Sequence, residues 1–290
     1  MSAQNMIIAA AALLTATTVF GLANTVGFHR LLTHRSFKTP RWIRYMLALL
    51  ATQYSGSPMM WVGVHRVHHT ISDSKDDPHS PRHNGFWYGH SGWLLHTKSR
   101  FLAIVFALSG FGLHLRFLQW DVMRVLGKRE PIWRKMTRDL KKERFFRFLD
   151  APFVVPAMFA AQLTAAWFVA GWWGIGWLWA FHTFQNNNTW LVNSVCHMPS
   201  MGTKPHETKD DSRNVAWLGW LTFGEAYHNG HHKYPKSARH GLLPGETDLS
   251  WGMIQLLSKL GLAWDIKLPA KFREPEPAGD HPAGKTAPTK

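Results

Sequence analysis

Three groups of closely spaced histidines stand out in this 290-residue chain. The first is an H-x4-H pair, and the second and third are both H-x2-H-H clusters. Neutral imidazole is a good ligand for iron, copper, nickel and zinc. Eight imidazoles exceed the three or four protein ligands of one zinc ion, so their number favours a two-metal centre. The eight residues are His29, His34, His65, His68, His69, His228, His231 and His232.

The spacing of these histidines indicates how a helix can present them. On an α-helix with about 3.6 residues per turn, positions i, i+3 and i+4 share one face, so His65, His68 and His69 can converge. His68 and His69 differ by about 100° on such a helix, so each is expected to reach a different metal of the pair. His29 and His34 point about 140° apart on an ideal helix. They are therefore expected to serve different metals or to lie where the helix ends.

Nine of the ten histidines outside these clusters are interpreted as ordinary polar residues that make hydrogen bonds within the fold. No H-E-x-x-H motif occurs in the sequence, which argues against a zinc protease. The single cysteine excludes a disulfide scaffold and a cysteine-held iron–sulfur cluster. The histidines interpreted as ordinary are His79, His83, His90, His96, His114, His182, His206, His240 and His281.

Charge-free segments show which elements must position the clusters. Residues 1–29 and 151–203 contain no Asp, Glu, Lys or Arg. Since a bilayer core requires about 20 apolar residues per helix, we expect one span at about residues 6–27 and a hairpin of two spans at about 152–171 and 174–195. The chain begins without the basic residues of a signal peptide, so the first span is expected to be retained as a membrane anchor.

Metal ligands must lie on one side of the membrane, and this requirement constrains residues 45–64. If this uncharged segment crossed the bilayer, His65 would emerge on the side opposite to His34. Residues 45–64 are therefore predicted to be interfacial or re-entrant. Residues 116–147 mix basic and aromatic side chains and are expected to form interfacial or solvated helices.

The resulting prediction is an all-α integral membrane protein with about three transmembrane helices and interfacial helices under a histidine-ligated cap. Lys and Arg exceed Asp and Glu by 33 to 18, and the basic residues flank the apolar segments, which places the cap in the cytoplasm. That distribution is typical of a membrane protein and not of a nucleic-acid-binding module. The membrane domain is expected over residues 1–272, and residues 273–290, rich in Pro, Lys and Gly, are expected to be disordered.

With these motifs in order, the sequence resembles the membrane fatty acid desaturases of the acyl-CoA Δ9, stearoyl-CoA desaturase-like type, particularly their bacterial and cyanobacterial members. The resemblance runs from about Gly27 to Pro269. The matching segments are His29-Arg-Leu-Leu-Thr-His34, Trp61-Val-Gly-Val-His65-Arg-Val-His-His69, Asn193-Ser-Val-Cys-His197 and Gly224-Glu-Ala-Tyr-His228-Asn-Gly-His-His232.

The resemblance implies a non-haem diiron centre with nine histidine ligands and, in the family, four transmembrane helices. It adds His197 to the eight histidines above, and it matches Asn193 to a position that holds a metal-bound water. Asn193 and His197 are four residues apart, so one helix face can present both. Carboxylates are expected to orient the imidazole rings. The candidates are Asp73, Asp76, Asp77 and Glu225.

The implied activity is the O2-dependent insertion of a cis double bond, at Δ9, into a saturated fatty acyl chain. Two features depart from the family pattern. Only 28 residues precede His29, enough for one span where the family has two. Gly63-Val64 stands where the animal acyl-CoA enzymes have an Arg-Asp pair linked to CoA recognition, so the acyl carrier is expected to be acyl-CoA, an acyl-lipid or another thioester.

The sequence contains no Gly-rich dinucleotide motif, so no bound nucleotide is expected. Electrons must then come from an external carrier such as a ferredoxin or a cytochrome b5-like protein. The expected location is a bacterial inner membrane, with the metal site facing the cytoplasm. Two alternatives stay open: a diiron hydroxylase that forms an alcohol, and a non-catalytic membrane protein that only binds metal.

Overall fold

The computed structural model describes residues 2–127 and 132–272 of the chain. Within these residues the regular structure is helical, and only isolated β-bridges form between extended segments. The predicted disordered tail, residues 273–290, and His281 lie outside the described residues. The α-helices are α1 (Ala3–Leu22), α2 (Arg41–Ser55), α3 (Pro58–Ile71), α4 (Pro81–Asn84), α5 (Trp93–Leu95), α6 (Arg100–Leu108), α7 (Gly112–Val125), α8 (Arg144–Leu149), α9 (Val154–Ser194), α10 (His228–Lys233) and α11 (Leu249–Lys259). The shorter helices are π-helices at Ala23–Thr33 and Tyr88–Gly92 and 3-10 helices at Ile132–Thr137, Leu140–Lys142, Val195–His197, Ala216–Leu218 and Ala270–Phe272.

The first long helix is apolar, and most of its side chains face outward. α1 begins at Ala3, the hydroxyl of the preceding Ser2 accepts a hydrogen bond from the backbone N–H of Asn5, and the helix continues directly into the π-helix. Together they form a 31-residue helix, Ala3–Thr33, that is long and apolar enough to cross a membrane. Ile7 and Leu14 are 69% and 70% exposed, which in a membrane is surface that lipid covers.

The second long helix is folded back on itself. The stretch from Val154 to His197 also has the length and hydropathy of a membrane-crossing helix. Its backbone is non-helical at Ala170 and Gly171, where Gly171 adopts a φ of 54° that favours glycine. Gln162 and His182 form a hydrogen bond of 2.9 Å across this turn, so the two arms run side by side. The arms cover the residues predicted to form the hairpin.

Residues 45–64 are divided between two helices. α2 ends at Ser55 and α3 begins at Pro58, with Gly56 between them at a φ of 85°. A Cβ at Gly56 would lie 2.5 Å from the ring of Phe117, so both the backbone and the close packing require glycine. At 15 and 14 residues, neither helix is long enough to cross a membrane alone. The interfacial or re-entrant placement of residues 45–64 stays a prediction.

α6 and α7 form a further apolar pair, bent by 104°. If this pair counts as one broken span, the described residues contain three candidate spans instead of two. The outer side of α7 exposes Leu115, Leu118 and Val122, whereas its inner side buries Leu113 and Phe117. The outer row is therefore an apolar surface suited to lipid.

The main core lies between the π-helix, α2, α3, α8 and α11. Gly27 lets the π-helix approach α2 closely, because a Cβ there would lie 2.8 Å from the Cβ of Leu47. Phe146 and Leu149 of α8 are fully buried in this core. Each such side chain stabilises the fold by about 1.5–3 kcal/mol. On the opposite side of α8, Phe148 is 60% exposed, so this helix has one buried and one exposed face. The expectation of interfacial or solvated helices over 116–147 stays a prediction.

Candidate metal centre

The nine predicted histidines fall into two groups. In each group one ligand atom per residue lies within 4.8 Å of the ligand atoms of the others. The first group consists of His29, His34, His65, His69 and His231, and the second consists of His68, His197, His228 and His232. Two such groups side by side are the arrangement that a pair of metal ions requires.

Both H-x2-H-H clusters contribute to both groups. On α3, His65 and His69 point into the first group while His68 points into the second. α10 divides in the same way, with His231 in the first group and His228 in the second. Consecutive residues on a helix differ by about 100°, so one helix can serve two neighbouring positions.

The π-helix explains the geometry of the first histidine pair. His29 lies in the last turn of the π-helix, which ends at Thr33, and the backbone N–H of His34 donates to the carbonyl of His29. This wider i→i+5 turn brings residues five apart over one another. The ring centroids of His29 and His34 are 4.9 Å apart, and both belong to the first group. The alternative in which they serve different metals is therefore wrong, and the alternative in which they lie at a helix end agrees with the structure.

His197 and Asn193 lie at the end of α9. The helix tightens into the 3-10 turn Val195–His197, which buries His197 completely among the ligands of the second group. Asn193, one turn earlier, lines the cavities that run past the two groups. The role of Asn193 as a holder of metal-bound water stays a prediction.

Carboxylates fix the orientation of four ligand rings. The Nδ1 of His68 lies 2.9 Å from Asp77, that of His197 lies 2.9 Å from Asp73, and that of His232 lies 2.7 Å from Asp210. The fourth contact joins His29 Nδ1 to Glu225. Asp73, Asp77 and Glu225 were expected from the sequence and Asp210 was not. Asp76, also expected, is exposed and makes no such contact with the described residues.

These contacts determine which nitrogen of each ring is free. A neutral imidazole that donates its Nδ1–H to a carboxylate presents a lone pair at Nε2. The Nε2 atoms of His34, His68 and His197 are buried and have no hydrogen-bond partner among the described residues. The Nε2 atoms of His29 and His231 face each other at 3.1 Å. Converging lone pairs without donors are what a cation satisfies, so this set of imidazoles fits a metal pair.

Burial and mutual repulsion keep these rings neutral. Burial, together with the nearby rings of His29 and His197, lowers the pKa of His69 to about 3. Burial is also the main cause of pKa values well below the ordinary range elsewhere in the two groups. The rings lowered in this way are those of His34, His65, His68, His228, His231 and His232. Such rings are ready to bind metal at neutral pH because they need not first release a proton.

A buried arginine stabilises the carboxylate that orients one ligand of the first group. Arg30 is fully buried, and its guanidinium lies 3.1 Å from Glu225 and 2.9 Å from Asp248. Burial alone would raise the pKa of Glu225, but His29, His240 and Arg30 hold it well below its usual range. Glu225 is therefore ionised and keeps His29 in the tautomer that binds metal through Nε2.

Sequence reasoning missed two histidines at the edge of the centre. His79 lies against His68 and His240 lies against His231, with ring centroids 4.3 Å apart in both cases. Both were interpreted as ordinary residues because each stands alone in the sequence. For His182 that interpretation agrees with the structure, since its ring bonds to Gln162.

Three cavities lie end to end beside the histidines. An outer vestibule of about 480 Å3 shares Met60 and Trp93 with a narrower cavity of about 70 Å3. That cavity shares His65 and Asn193 with an inner cavity of about 50 Å3. Gly21 and Phe223 are among the residues that line the inner cavity. The cavities thus form a channel, mostly apolar near the centre, that passes directly beneath the metal-binding groups.

Comparisons with known proteins agree with this site. The family model described as fatty acid desaturase matches residues 5–244. The sn-1 stearoyl-lipid 9-desaturase of Anabaena variabilis is 38% identical over 257 residues, which cover 87% of this chain and 80% of the relative. The Delta-9 acyl-lipid desaturase 2 of Arabidopsis thaliana is 37% identical over 261 residues, covering 88% and 73%.

A second cyanobacterial relative, the sn-1 stearoyl-lipid 9-desaturase of a Synechocystis species, is 36% identical over 254 residues, covering 86% and 68%. The family model spans all nine histidines of the two groups, nearly all of the helix Ala3–Thr33 and the whole of Val154–His197. The chain therefore belongs to the fatty acid desaturase family: it is a membrane-associated oxidoreductase that desaturates fatty acyl chains and can bind metal through its histidine groups.

Proposed function

We propose that the protein introduces a cis double bond at Δ9 of a saturated acyl chain, using O2 and a non-haem pair of iron ions held by nine histidines. The observation that supports this proposal is the division of the histidines into groups of five and four beside one channel. The Δ9 position is supported by the names of the relatives from Anabaena variabilis and Arabidopsis thaliana.

The reaction requires an oxidant that no side chain supplies. It consumes O2, two electrons and two protons, removes one hydrogen from each of two adjacent methylenes, and yields two molecules of water. When bound, the iron pair supplies the redox chemistry with O2. His29, His34, His65, His69 and His231 would hold one ion. His68, His197, His228 and His232 would hold the other.

The side chains of the channel position the acyl chain. Trp61 and Thr189 line both the middle and the inner cavity beside His65 and Asn193, so an acyl chain there lies against the metal-binding groups. The apolar walls exclude water from the methylenes that react. Phe223 lines the inner cavity and would limit how many carbons extend beyond the reacting pair.

The vestibule favours a glycerolipid as the acyl carrier. Its charged lining consists of Arg116 and Arg124 together with Asp121 and Asp150. Arg124 pairs with both aspartates, and Arg116 is 5.1 Å from the ring of Trp120. CoA carries several phosphate charges that require uncommitted cations, whereas a lipid headgroup of low net charge does not. α7 forms one wall of the vestibule, and its outer side is apolar, so a lipid can enter from the bilayer.

The remaining parts of the proposal concern location and electrons. The excess of basic residues outside the apolar helices supports a cytoplasmic position for the centre, in a bacterial inner membrane. Residues 45–64 would be interfacial or re-entrant, since His34 and His65 meet in one group. A ferredoxin or cytochrome b5-like protein would supply the electrons.

Expression in a host that lacks desaturases, followed by fatty-acid analysis of each lipid class, tests the proposal. Wild-type protein should yield a cis-Δ9 alkene on glycerolipid chains, and His68→Ala or His231→Ala should abolish the product while the protein still inserts in the membrane. An alcohol as the product would instead establish a hydroxylase. Full activity in either variant would contradict the ligand assignment.

A further inference from the structure

The first histidine group reaches the surface on a second side, away from the channel. An open hollow of about 490 Å3 is lined by His34 and His69 and by the cationic side chains of Arg35, Arg66, Lys236 and Lys267. None of the described residues that line it is acidic. We name this hollow the cationic depression.

The cationic depression gives access to the ligands themselves. His34 and His69 are only partly buried, whereas His29 and His231 of the same group are buried. The depression therefore ends on imidazole rings that belong to the metal-binding set. A molecule seated there would therefore reach the first group through these two rings.

The charges around the depression leave an excess of positive charge. Asp139 accepts hydrogen bonds from both Arg35 and Arg66, at 2.7 Å and 2.8 Å, so one carboxylate serves two guanidinium groups. Lys267 donates to the carbonyl of Arg35, which does not reduce its charge. Lys236 is exposed and makes no hydrogen bond or ion pair with the described residues. The vestibule differs because two aspartates, Asp121 and Asp150, line it and pair with Arg124.

The channel cannot serve both the substrate and the electron source. His65 and Asn193 face the channel, which the acyl chain would fill during the reaction. An electron carrier therefore needs a separate approach to the same centre. The cationic depression is such an approach, because it is lined by residues at the end of the first long helix and by Met136. Lys135 and Arg138, which are close to Met136 in the sequence, are exposed.

We propose that the cationic depression is the docking site of a small acidic one-electron carrier protein, which passes its electrons to the metal centre through His34 and His69. The inference rests on the proposed function, because the reduction of O2 at this site requires two external electrons. Two reduced carriers would dock in turn, and each would leave oxidised by one electron. Complementary charge would accelerate the association of carrier and protein. High salt would weaken this association because it screens the charges.

The test compares two charge reversals of exposed lysines in the full-length protein. Lys236→Glu changes the depression, and Lys259→Glu makes the same change at the end of α11, outside the depression. The affinity of each purified variant in lipid nanodiscs for a plant-type ferredoxin and for a soluble cytochrome b5 domain is measured at about 50 mM and 500 mM salt. Product formation is then measured with each carrier and with dithionite.

We expect Lys236→Glu to weaken carrier binding roughly three- to tenfold at low salt and Lys259→Glu to leave it unchanged. With dithionite, Lys236→Glu should form product as fast as the wild type. The proposal is overturned if neither carrier binds the wild type, or if the two variants bind both carriers equally well. Absence of product with every reductant would refute the proposed function instead, and the binding comparison would still decide the docking site.

Discussion

A single carboxylate decides which nitrogen of its histidine is free to bind metal. Asp77 holds His68 by Nδ1, and Asp73 and Asp210 do the same for His197 and His232. Because Nδ1 is occupied, Nε2 must point into the centre. These residues lie on a loop and an extended segment and not on the helices that carry most of the ligands.

Replacing one of these carboxylates should weaken metal binding without removing a ligand. Asp77→Asn should lower the affinity for ferrous iron by about 10- to 100-fold, because the amide no longer stabilises the metal-bound tautomer. Iron content after dialysis against a chelator measures this loss. Asp76→Asn is the matched control, since Asp76 is adjacent but exposed. Equal iron retention in both variants would contradict the assigned orientation of His68.

Histidines with lowered pKa values should make the metal-free protein sensitive to acid. An unfolded histidine takes up a proton near pH 6.5, whereas His69 in the fold resists protonation until about pH 3. Below pH 6.5 the unfolded state therefore binds more protons, and stability falls as the pH falls, by up to about 1.4 kcal/mol per pH unit for each such ring. Above pH 6.5 these rings contribute no pH dependence.

Thermal melting of the metal-free protein between pH 4 and pH 8 measures this effect. The melting temperature should be level above about pH 6.5 and fall below it, and His69→Gln should make the decline less steep. A melting temperature that is constant down to pH 4 would show that the rings are not buried in a common site.

The histidine clusters could be predicted from the sequence, but several partners of the centre could not. His65, His68 and His69 share a helix, so their spacing alone indicates convergence. Asp210 is 22 residues from His232 along the chain and reaches it through an irregular segment. No periodicity links such a pair, and only the folded chain brings them together.

Among the elements, the π-helix Ala23–Thr33 departs most from what the sequence predicts. Its apolar pattern indicates a helix, and the charge-free length indicates a membrane span. A change from i→i+4 to i→i+5 hydrogen bonds leaves no mark in that pattern. The hairpin of α9 is different, since Gly171 and the flanking tryptophans mark its turn directly.

The contact between α1 and the loop before α10 should set the length of acyl chain that the channel accepts. Gly21 lies directly against the ring of Phe223, and both line the inner cavity. Phe223→Ala should enlarge the inner cavity at this contact, so longer chains should be desaturated, with a shift of the product profile by two or more carbons. Analysis of products from a mixture of saturated chains measures the shift.

Phe184→Ala, on the outer side of α9, is the control for that experiment because Phe184 is 39% exposed and does not line the cavities. It should leave the product profile unchanged. If Phe223→Ala also leaves the profile unchanged, the acyl chain does not end at Phe223.

In the whole molecule, the histidine centre lies between two openings with different charge. The channel approaches it past His65 and Asn193, and the cationic depression approaches it past His34 and His69. The long apolar helices Ala3–Thr33 and Val154–His197 both have their C-terminal ends at this centre. Substrate and electrons can then arrive from separate sides.

The metal content of the purified protein tests the central claim most directly. After anaerobic reconstitution with ferrous iron and removal of loosely bound metal, elemental analysis should find two iron ions per chain. Nine histidines in groups of five and four leave room for that stoichiometry. A single ion per chain, or zinc retained in preference to iron, would contradict the two-iron centre.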